Sequence, residues 1–136
     1  YIILGVNLLV GCGRKAAPQY VIGVSQCSED IWRDRFNKEL QMAEYLNDSI
    51  QVKLASSNDD SKLQTRQINQ MIDEKVDLLV IAPNQLNTIS PAINRAYDKG
   101  IPVIIYDRKA NSNKYTAFIG CDNYAIGKSM GEFIAQ

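Results

Sequence analysis

Residues 76–82 read Val-Asp-Leu-Leu-Val-Ile-Ala, and this stretch decides the fold class of the chain. The run is apolar apart from Asp77 near its start, which is the pattern of a parallel strand that is covered on both faces. We therefore expect residues 76–82 to form a central strand of a parallel sheet.

Short apolar runs alternate with longer helical stretches on both sides of this segment. The same kind of run predicts four further strands, at 20–26, 50–55, 101–106 and 116–121. This alternation is the signature of βαβ units, and right-handed crossovers turn it into a doubly wound sheet. The predicted fold class is α/β, with a parallel sheet most simply in the order 2-1-3-4-5.

The first two helices are predicted from apolar residues at helical spacing. One covers residues 30–46 and turns four side chains toward the sheet: Trp32, Phe36, Leu40 and Ala43. The other follows the polar segment 57–60, whose side-chain oxygens can cap exposed backbone amides. It turns three side chains inward: Ile68, Met71 and Ile72.

The third and fourth helices have recognisable boundaries. Ser90 is predicted to cap the third helix, with Pro91 in its first turn, where a missing N–H costs nothing. Gly100 is predicted to end this helix in the left-handed conformation. The fourth helix is predicted over 123–135, with four residues on its inner face: Ile126, Met130, Phe133 and Ile134.

The composition argues against several classes of function. Fifteen basic residues balance fifteen acidic ones, so no excess charge attracts nucleic acid or anionic lipid. The chain has no histidine, the usual general base near neutral pH and the commonest zinc ligand. No glycine-rich phosphate loop follows the first strand. We predict no nucleic-acid partner, metal or cofactor, and an α/β enzyme is the least favoured function.

The three cysteines, Cys12, Cys27 and Cys121, show no close pairing, so neither a zinc site nor a redox motif is predicted. The predicted strand order separates Cys27 from Cys121. We expect buried free thiols here and not a disulfide.

Residues 1–12 form an apolar run that is too short to span a bilayer and has the length of a signal-peptide core. No initiator methionine or basic segment precedes it, so we expect the sequence to begin inside its gene product. Residues 9–12 resemble a bacterial lipobox, which would make Cys12 a lipidation site; an ordinary signal peptide is the alternative. Residues 13–19 would form a tether. The predicted location is periplasmic, with the membrane reached only through a lipid anchor or a downstream transmembrane segment.

Polar side chains follow every predicted strand at its carboxyl end, where doubly wound sheets bind ligands. Asp107 and Arg108 come directly after the apolar strand 101–106. A carboxylate accepts hydrogen bonds from adjacent hydroxyls and a planar guanidinium donates to oxygens, so the pair suits a polyol. A local ion pair or helix cap is an equally good interpretation.

Three residues near the first helix also have two interpretations. Trp32, the only tryptophan, can pack its helix onto the sheet or present a flat face to a sugar ring; periodicity alone favours packing. Glu29 and Asp30 can bind ligand or cap the helix, because its dipole favours acids at the amino terminus.

Several segments resemble the ribose-type periplasmic binding proteins, a family that includes the effector domains of lac-repressor-like regulators. The segments are 21–25, 76–83, 101–108 and 119–127, and the most specific is Ile-Pro-Val-Ile-Ile-Tyr-Asp-Arg at 101–108. The resemblance covers about residues 20–136. It implies the amino-terminal lobe of a type I periplasmic binding protein, with the second lobe lying beyond Gln136.

Residues 22–33, 75–79 and 114–118 more narrowly resemble the sensor region of Bacteroides-type hybrid two-component systems, in which a binding protein is fused to a membrane-bound histidine kinase. In the wider family the matching residues contact sugar, which implies four ligand residues here: Ser25, Trp32, Asp107 and Arg108. Ile31 and Ala82 depart from the ribose pattern, so we expect Gln26 or Asn84 to compensate. Asp122 and Asn123 lie near the family's hinge and can order the crossover or touch ligand.

The predicted function is a sugar-sensing lobe that signals to a histidine kinase. The alternatives are a transport receptor that passes sugar to a permease, and the effector lobe of a cytoplasmic repressor. The export segment counts against the repressor. A homodimer of the parent protein is left open. The predicted ligand residues are Ser25, Gln26, Glu29, Asp30, Trp32, Asn84, Asp107 and Arg108.

Overall fold

The computed structural model describes residues 17–135 of the 136-residue chain. In this range strands and helices alternate: β1 Tyr20–Gln26, α1 Ile31–Leu46, β2 Ile50–Ser56, α2 Ser61–Asp73, β3 Leu78–Ile81, α3 Leu86–Asp98, β4 Val103–Tyr106, β5 Ala117–Ile119 and α4 Asn123–Ile134. None of the helices described here has the length and apolar character needed to cross a membrane. The predicted signal-peptide core, the lipidation of Cys12 and most of the tether lie outside the described residues.

The strands form one parallel sheet in the order β2-β1-β3-β4-β5, as predicted. The run at 76–82 supplies the middle strand, β3. Ser25 of β1 lies opposite Ile81 of β3, which lies opposite Ile105 of β4. The carboxyl ends of the three central strands therefore meet at one edge of the sheet.

The hydrophobic core lies between the sheet and the helices α2 and α3. It contains the predicted inner face of α2 together with residues from α3, β3 and β4: Ile68, Met71, Ile72, Ile89, Ile93, Leu79, Ile81, Val103 and Ile105. Full burial of each large aliphatic side chain contributes about 1.5–3 kcal/mol. Gly23 of β1 lets this layer close, because a β-carbon there would lie 2.9 Å from both Leu79 Cδ2 and Met71 Sδ.

The predicted inner face of the first helix is only partly right. No residue of α1 is buried, Trp32 is 82% exposed and Ala43 is exposed. Phe36 is half-buried and stacks on Tyr106 with ring centroids 5.0 Å apart. The helix is rotated so that a polar side chain, Arg33, reaches the sheet edge, and this turns Trp32 outward.

The predicted inner face of the fourth helix is wrong for the described part of the chain. Four residues that were expected to face inward are between 48% and 79% exposed: Ile126, Met130, Phe133 and Ile134. Periodicity predicts an inner face, but burial needs a second element to cover it. Nothing in residues 17–135 buries this side of α4.

The third helix starts earlier than predicted. It begins at Leu86, so Ser90 and Pro91 lie inside it and Ser90 is not its cap. The Ser90 hydroxyl donates to the Leu86 carbonyl, which also accepts from the Asn111 N–H at 3.1 Å. These bonds stabilise the first turn of the helix, whereas the carbonyl that lacks an N–H donor because of Pro91 is that of Asn87, four residues before the proline. Gly100 adopts φ of +79° just after the helix, as predicted.

Three strands are shorter than predicted, and one cysteine differs. β3 covers only Leu78–Ile81 of the predicted range 76–82. β4 begins at Val103 because Pro102 has no N–H, and β5 covers only Ala117–Ile119 at the sheet edge. Cys27 and Cys121 are both free, but only Cys27 is buried. Cys121 is exposed because it follows the edge strand.

Candidate ligand-binding site

An ion-pair network joins the start of α1 to the end of β4. Arg33 Nη1 donates to Asp30 Oδ2 at 2.5 Å, and Arg33 Nη2 donates to Asp107 Oδ2 at 2.7 Å. The Arg33 side chain is only 11% exposed. One cation thus holds two carboxylates from elements far apart in the sequence.

Asp30 caps α1, which confirms the capping interpretation. Its Oδ1 accepts from the N–H groups of Trp32 and Arg33 at 3.0 and 2.9 Å. The backbone hydrogen bond from Arg33 lowers the pKa of Asp30, and the Arg33 side chain adds to this effect although burial opposes it. The preceding residue, Glu29, is exposed.

Asp107 occupies a strained turn at the carboxyl end of β4. Its φ is +65°, and the Arg108 N–H donates to the Tyr106 carbonyl at 2.8 Å across it. A γ-turn with positive φ at its central residue is rare and costs about 1–3 kcal/mol. The Asp107 N–H is anchored to the Ile119 carbonyl at 3.0 Å. The turn presents the carboxylate at the edge of the sheet.

Arg108 remains accessible beside Asp107. Its Nε lies 3.9 Å from Asp107 Oδ2, at the limit of an ion pair, and the two side chains are 52% and 47% exposed. The local ion pair, which the sequence left as an alternative, is therefore weak. The Arg108 guanidinium and the second carboxylate oxygen of Asp107, Oδ1, are therefore accessible to hydroxyls.

Two open cavities flank Asp107. One of about 410 Å³ lies between α1 and β4 and is lined by Trp32, Arg33, Phe36, Tyr106 and Asp107. The other, of about 590 Å³, lies toward β5 and α4 and is lined in part by Arg108, Asp122 and Asn123. The predicted hinge residues thus share a cavity wall with the Asp-Arg pair.

The floor of the smaller cavity contains two buried polar atoms without partners. Within residues 17–135, Arg33 Nε and the Tyr106 hydroxyl have no partner at full hydrogen-bond geometry, although, against the larger effect of burial, the nearby Gln26 side chain lowers the pKa of Tyr106. Burial raises the pKa of Tyr106 to about 12, which keeps the hydroxyl protonated. An unpaired buried polar group costs about 1–3 kcal/mol, so this end of the molecule is not optimised for stability alone.

Residues 21–136 match the family model for the periplasmic binding protein domain. This chain belongs to that family. It is 35% identical over 118 residues to the multiple sugar-binding periplasmic receptor ChvE of Rhizobium radiobacter, which covers 82% of this chain and 32% of the receptor. It is 30% identical over 108 residues to the D-xylose-binding periplasmic protein of Haemophilus influenzae, covering 78% of this chain and 32% of that protein.

Solved structures agree with the assignment to the periplasmic binding protein domain family. The fructose-binding periplasmic domain of a hybrid two-component system superposes with a TM-score of 0.81 at 45% identity, covering 85% of this chain and 39% of that one. A solute-binding protein of an ABC transporter from Clostridium phytofermentans, solved with bound β-D-glucose, gives 0.70 at 30% identity over 84% of this chain and 36% of that one. The predicted family and fold are confirmed. The chain covers less than half of the length of three relatives whose sequences it matches, namely 28%, 32% and 37%.

In this member of the periplasmic binding protein domain family, three predicted ligand residues are held inside the lobe. Ser25 and Gln26 are 0% and 1% exposed. Gln26 Nε2 donates to Asn37 Oδ1 at 2.6 Å. Asn84 is half-buried, and its side chain donates to the Asp59 carbonyl at 2.7 Å. None of these three side chains lines the two cavities beside Asp107. Trp32, Asp107 and Arg108 are exposed around those cavities and are called the rim below.

Sequence reasoning missed two residues that organise the site. Arg33 could have been found from its spacing of three residues after Asp30, which places the two on one face of a helix. Gln64 is fully buried; its Nε2 donates to the Ala82 carbonyl at 2.8 Å and to Ser25 Oγ at 3.2 Å, and its Oε1 accepts from the Asn84 N–H at 2.9 Å. The sequence feature that could have identified Gln64 is the presence of a polar residue on the inner face of an amphipathic helix.

Proposed function

We propose that this chain is the amino-terminal lobe of a periplasmic sugar-binding domain, and that the sugar lies against Trp32, Asp107 and Arg108. The observation that carries the proposal is the accessible Asp107 carboxylate at the carboxyl edge of a parallel sheet, with the exposed indole of Trp32 lining the cavity on one side of it and Arg108 lining the cavity on the other.

The three side chains of this rim offer complementary contacts to one sugar. The carboxylate of Asp107 accepts from hydroxyls, and the guanidinium of Arg108 donates to hydroxyl or ring oxygens. The face of Trp32 packs against the C–H side of the ring. A neutral polyol satisfies all three, and the binding proteins named above support a binding role over a catalytic one.

We place the ligand between this lobe and a second one. The rim residues are open on one side, with Trp32 82% exposed, so this lobe alone covers only part of a ligand. The chain also spans only 39% of the related fructose-binding domain. In such an arrangement the ligand stabilises the closed state because it contacts both lobes there.

A sensor is the first choice for the parent protein. The 45% identity to the periplasmic domain of a hybrid two-component system supports it. A transport receptor is the second choice, supported by the glucose-bound solute-binding protein and the D-xylose-binding relative. Lipid anchoring, the downstream kinase and a homodimer stay predictions.

A thermal-shift screen of the full periplasmic region tests sugar binding. The panel contains D-fructose, D-xylose, D-ribose and D-glucose, with glycerol as a non-sugar polyol control. A ligand at about 100 times its Kd adds about 2.7 kcal/mol of stability, which a melting curve detects. Binding by one sugar supports the proposal; no shift with any sugar contradicts it.

A genetic test separates sensing from transport. Deleting the gene abolishes sugar-induced transcription but leaves uptake of the labelled sugar intact if the protein is a sensor. Loss of uptake with normal induction identifies a transport receptor instead.

A further inference from the structure

Arg33 is a nearly buried cation that the proposed rim does not include. It is the third residue of α1, its side chain is 11% exposed, and it contacts Asp107, which is 74 residues away in the sequence. A buried charge is costly unless it is paired, and pairing fixes the geometry of both partners. Arg33 therefore connects the rigid start of α1 to the end of β4.

The carboxylate that Arg33 holds sits on a strained turn. Asp107 has φ of +65°, a conformation that favours glycine, so the backbone alone does not keep it there. Arg33 occupies Oδ2 at 2.7 Å. The second oxygen, Oδ1, makes no hydrogen bond to any residue in the described part of the chain, so it is left to accept from a ligand.

Arg33 is itself held by Asp30. One oxygen of Asp30 caps the helix, and the other accepts from Arg33 Nη1. The capped helix end, Asp30, Arg33 and Asp107 thus form a continuous chain of charge-assisted hydrogen bonds. Such bonds are about twice as strong as neutral ones and constrain direction as well as distance.

From these contacts we infer that Arg33 is a positioning residue of the sugar site, which orients the Asp107 carboxylate before the ligand arrives. This inference rests on the proposed function. Preorganisation of this kind raises affinity because the carboxylate is already ordered in the free protein, so binding does not incur the entropy cost of ordering it. In this role Arg33 acts through Asp107. Because Arg33 also lines the cavity beside Trp32, direct contact with the sugar is the alternative that the double-mutant cycle below distinguishes.

Calorimetric titration of the full periplasmic region tests this role, using whichever of the four sugars binds the wild type. Arg33→Gln weakens binding about tenfold or more, because it removes the nearly buried partner of the Asp107 carboxylate. Arg33→Lys restores part of the loss, since lysine keeps the charge but not the planar fork. The matched control is Arg35→Gln, on the same helix and 76% exposed, which leaves affinity within about twofold.

A double-mutant cycle distinguishes positioning from direct contact. If Arg33 acts through Asp107, then adding Arg33→Gln to Asp107→Asn causes no further loss of affinity. Additive losses show that Arg33 binds sugar independently and overturn the inference. Wild-type affinity in Arg33→Gln overturns it as well.

Two further measurements test the inference even if the Arg33→Gln variant misfolds or none of the four sugars binds. Asp30→Asn keeps a capping oxygen, so the fold is preserved, but it removes one charge that holds Arg33. We expect it to weaken sugar binding less than Arg33→Gln does. Unchanged affinity in both Asp30→Asn and Arg33→Lys counts against the inference. In a crystal structure of the unliganded Arg33→Gln variant, the Asp107 carboxylate leaves its wild-type direction. An unmoved carboxylate refutes positioning even if no sugar binds, whereas a wild type that binds no sugar refutes the proposed function.

Discussion

Replacing Asp107 by alanine removes the acceptor at the centre of the proposed rim. The wild-type carboxylate has one oxygen bound to Arg33 at 2.7 Å and the other free, and the side chain is 47% exposed without ligand. A hydrogen bond to a charged group contributes about 1.5–3 kcal/mol, and partial exposure places this one toward the lower half of that range. We therefore expect a loss of about 2 kcal/mol, which is about a 30-fold increase in Kd.

Titration calorimetry with the sugar that shifts the wild type measures this change. Asp98→Ala is the matched control, because Asp98 is an exposed acid that pairs with Lys114 in a different part of the lobe. Its Kd stays within about twofold of the wild type, since exposed ion pairs contribute little. An Asp107→Ala variant that binds the sugar with wild-type affinity refutes the assignment of the site.

Three other changes test the rim, its support and its charges. Trp32→Ala weakens sugar binding about tenfold in calorimetry and leaves the melting temperature unchanged, because the indole is 82% exposed and supports no core. Gln64→Leu lowers the free energy of unfolding by about 2–3 kcal/mol in urea, because the Asn84 N–H and the Ala82 carbonyl lose a buried partner. The fold loses stability below about pH 4, because Asp30 and Asp60 have a lower pKa in the folded state than in the unfolded state. Their carboxylates stabilise the fold fully at pH values above the unfolded-state pKa. This stabilisation disappears as the pH falls through the folded-state pKa.

Each of these has its own control. Tyr45→Ala removes another aromatic of α1 that is 80% exposed, and we expect unchanged binding. Gln70→Leu replaces a surface glutamine of α2 and changes stability by less than about 0.5 kcal/mol. Asp60→Asn keeps a cap on α2 but cannot titrate, so its acid transition is shallower. Equal losses in a test variant and its control contradict the reasoning, and so does a flat melting temperature between pH 7 and pH 3.

The strands and their order were predictable because their signals are local. The apolar run at 76–82 identified β3, and the handedness of crossovers then determined the sheet order. The cap at Asp60 and the left-handed conformation of Gly100 were also predictable, because each depends only on a short segment of sequence. The start of α3 was not, because Ser90 and Pro91 are the residue types of a helix start, yet the helix begins at Leu86 and includes both of them.

The place of the candidate residues in the fold was predictable from the sequence, but their side-chain contacts were not. Asp107 and Arg108 follow an apolar strand, so their place at the carboxyl edge follows from the fold. The burial of Ser25 and Gln26 does not follow from any local pattern. It depends on hydrogen bonds to Gln64 of α2 and Asn37 of α1, which lie in other parts of the chain. These partners become visible only when the elements are packed.

The sequence by itself determined which segments are strands, how they are ordered and which polar residues reach the carboxyl edge of the sheet, since alternation, capping and crossover handedness act over short stretches of chain. The tertiary structure decided how α1 is rotated about its axis. That rotation exposes Trp32 and brings Arg33 to Asp107 across 74 residues. A helix with both apolar and charged residues can turn either side to a sheet, and only the sum of packing and ion pairing across the assembled lobe selects one.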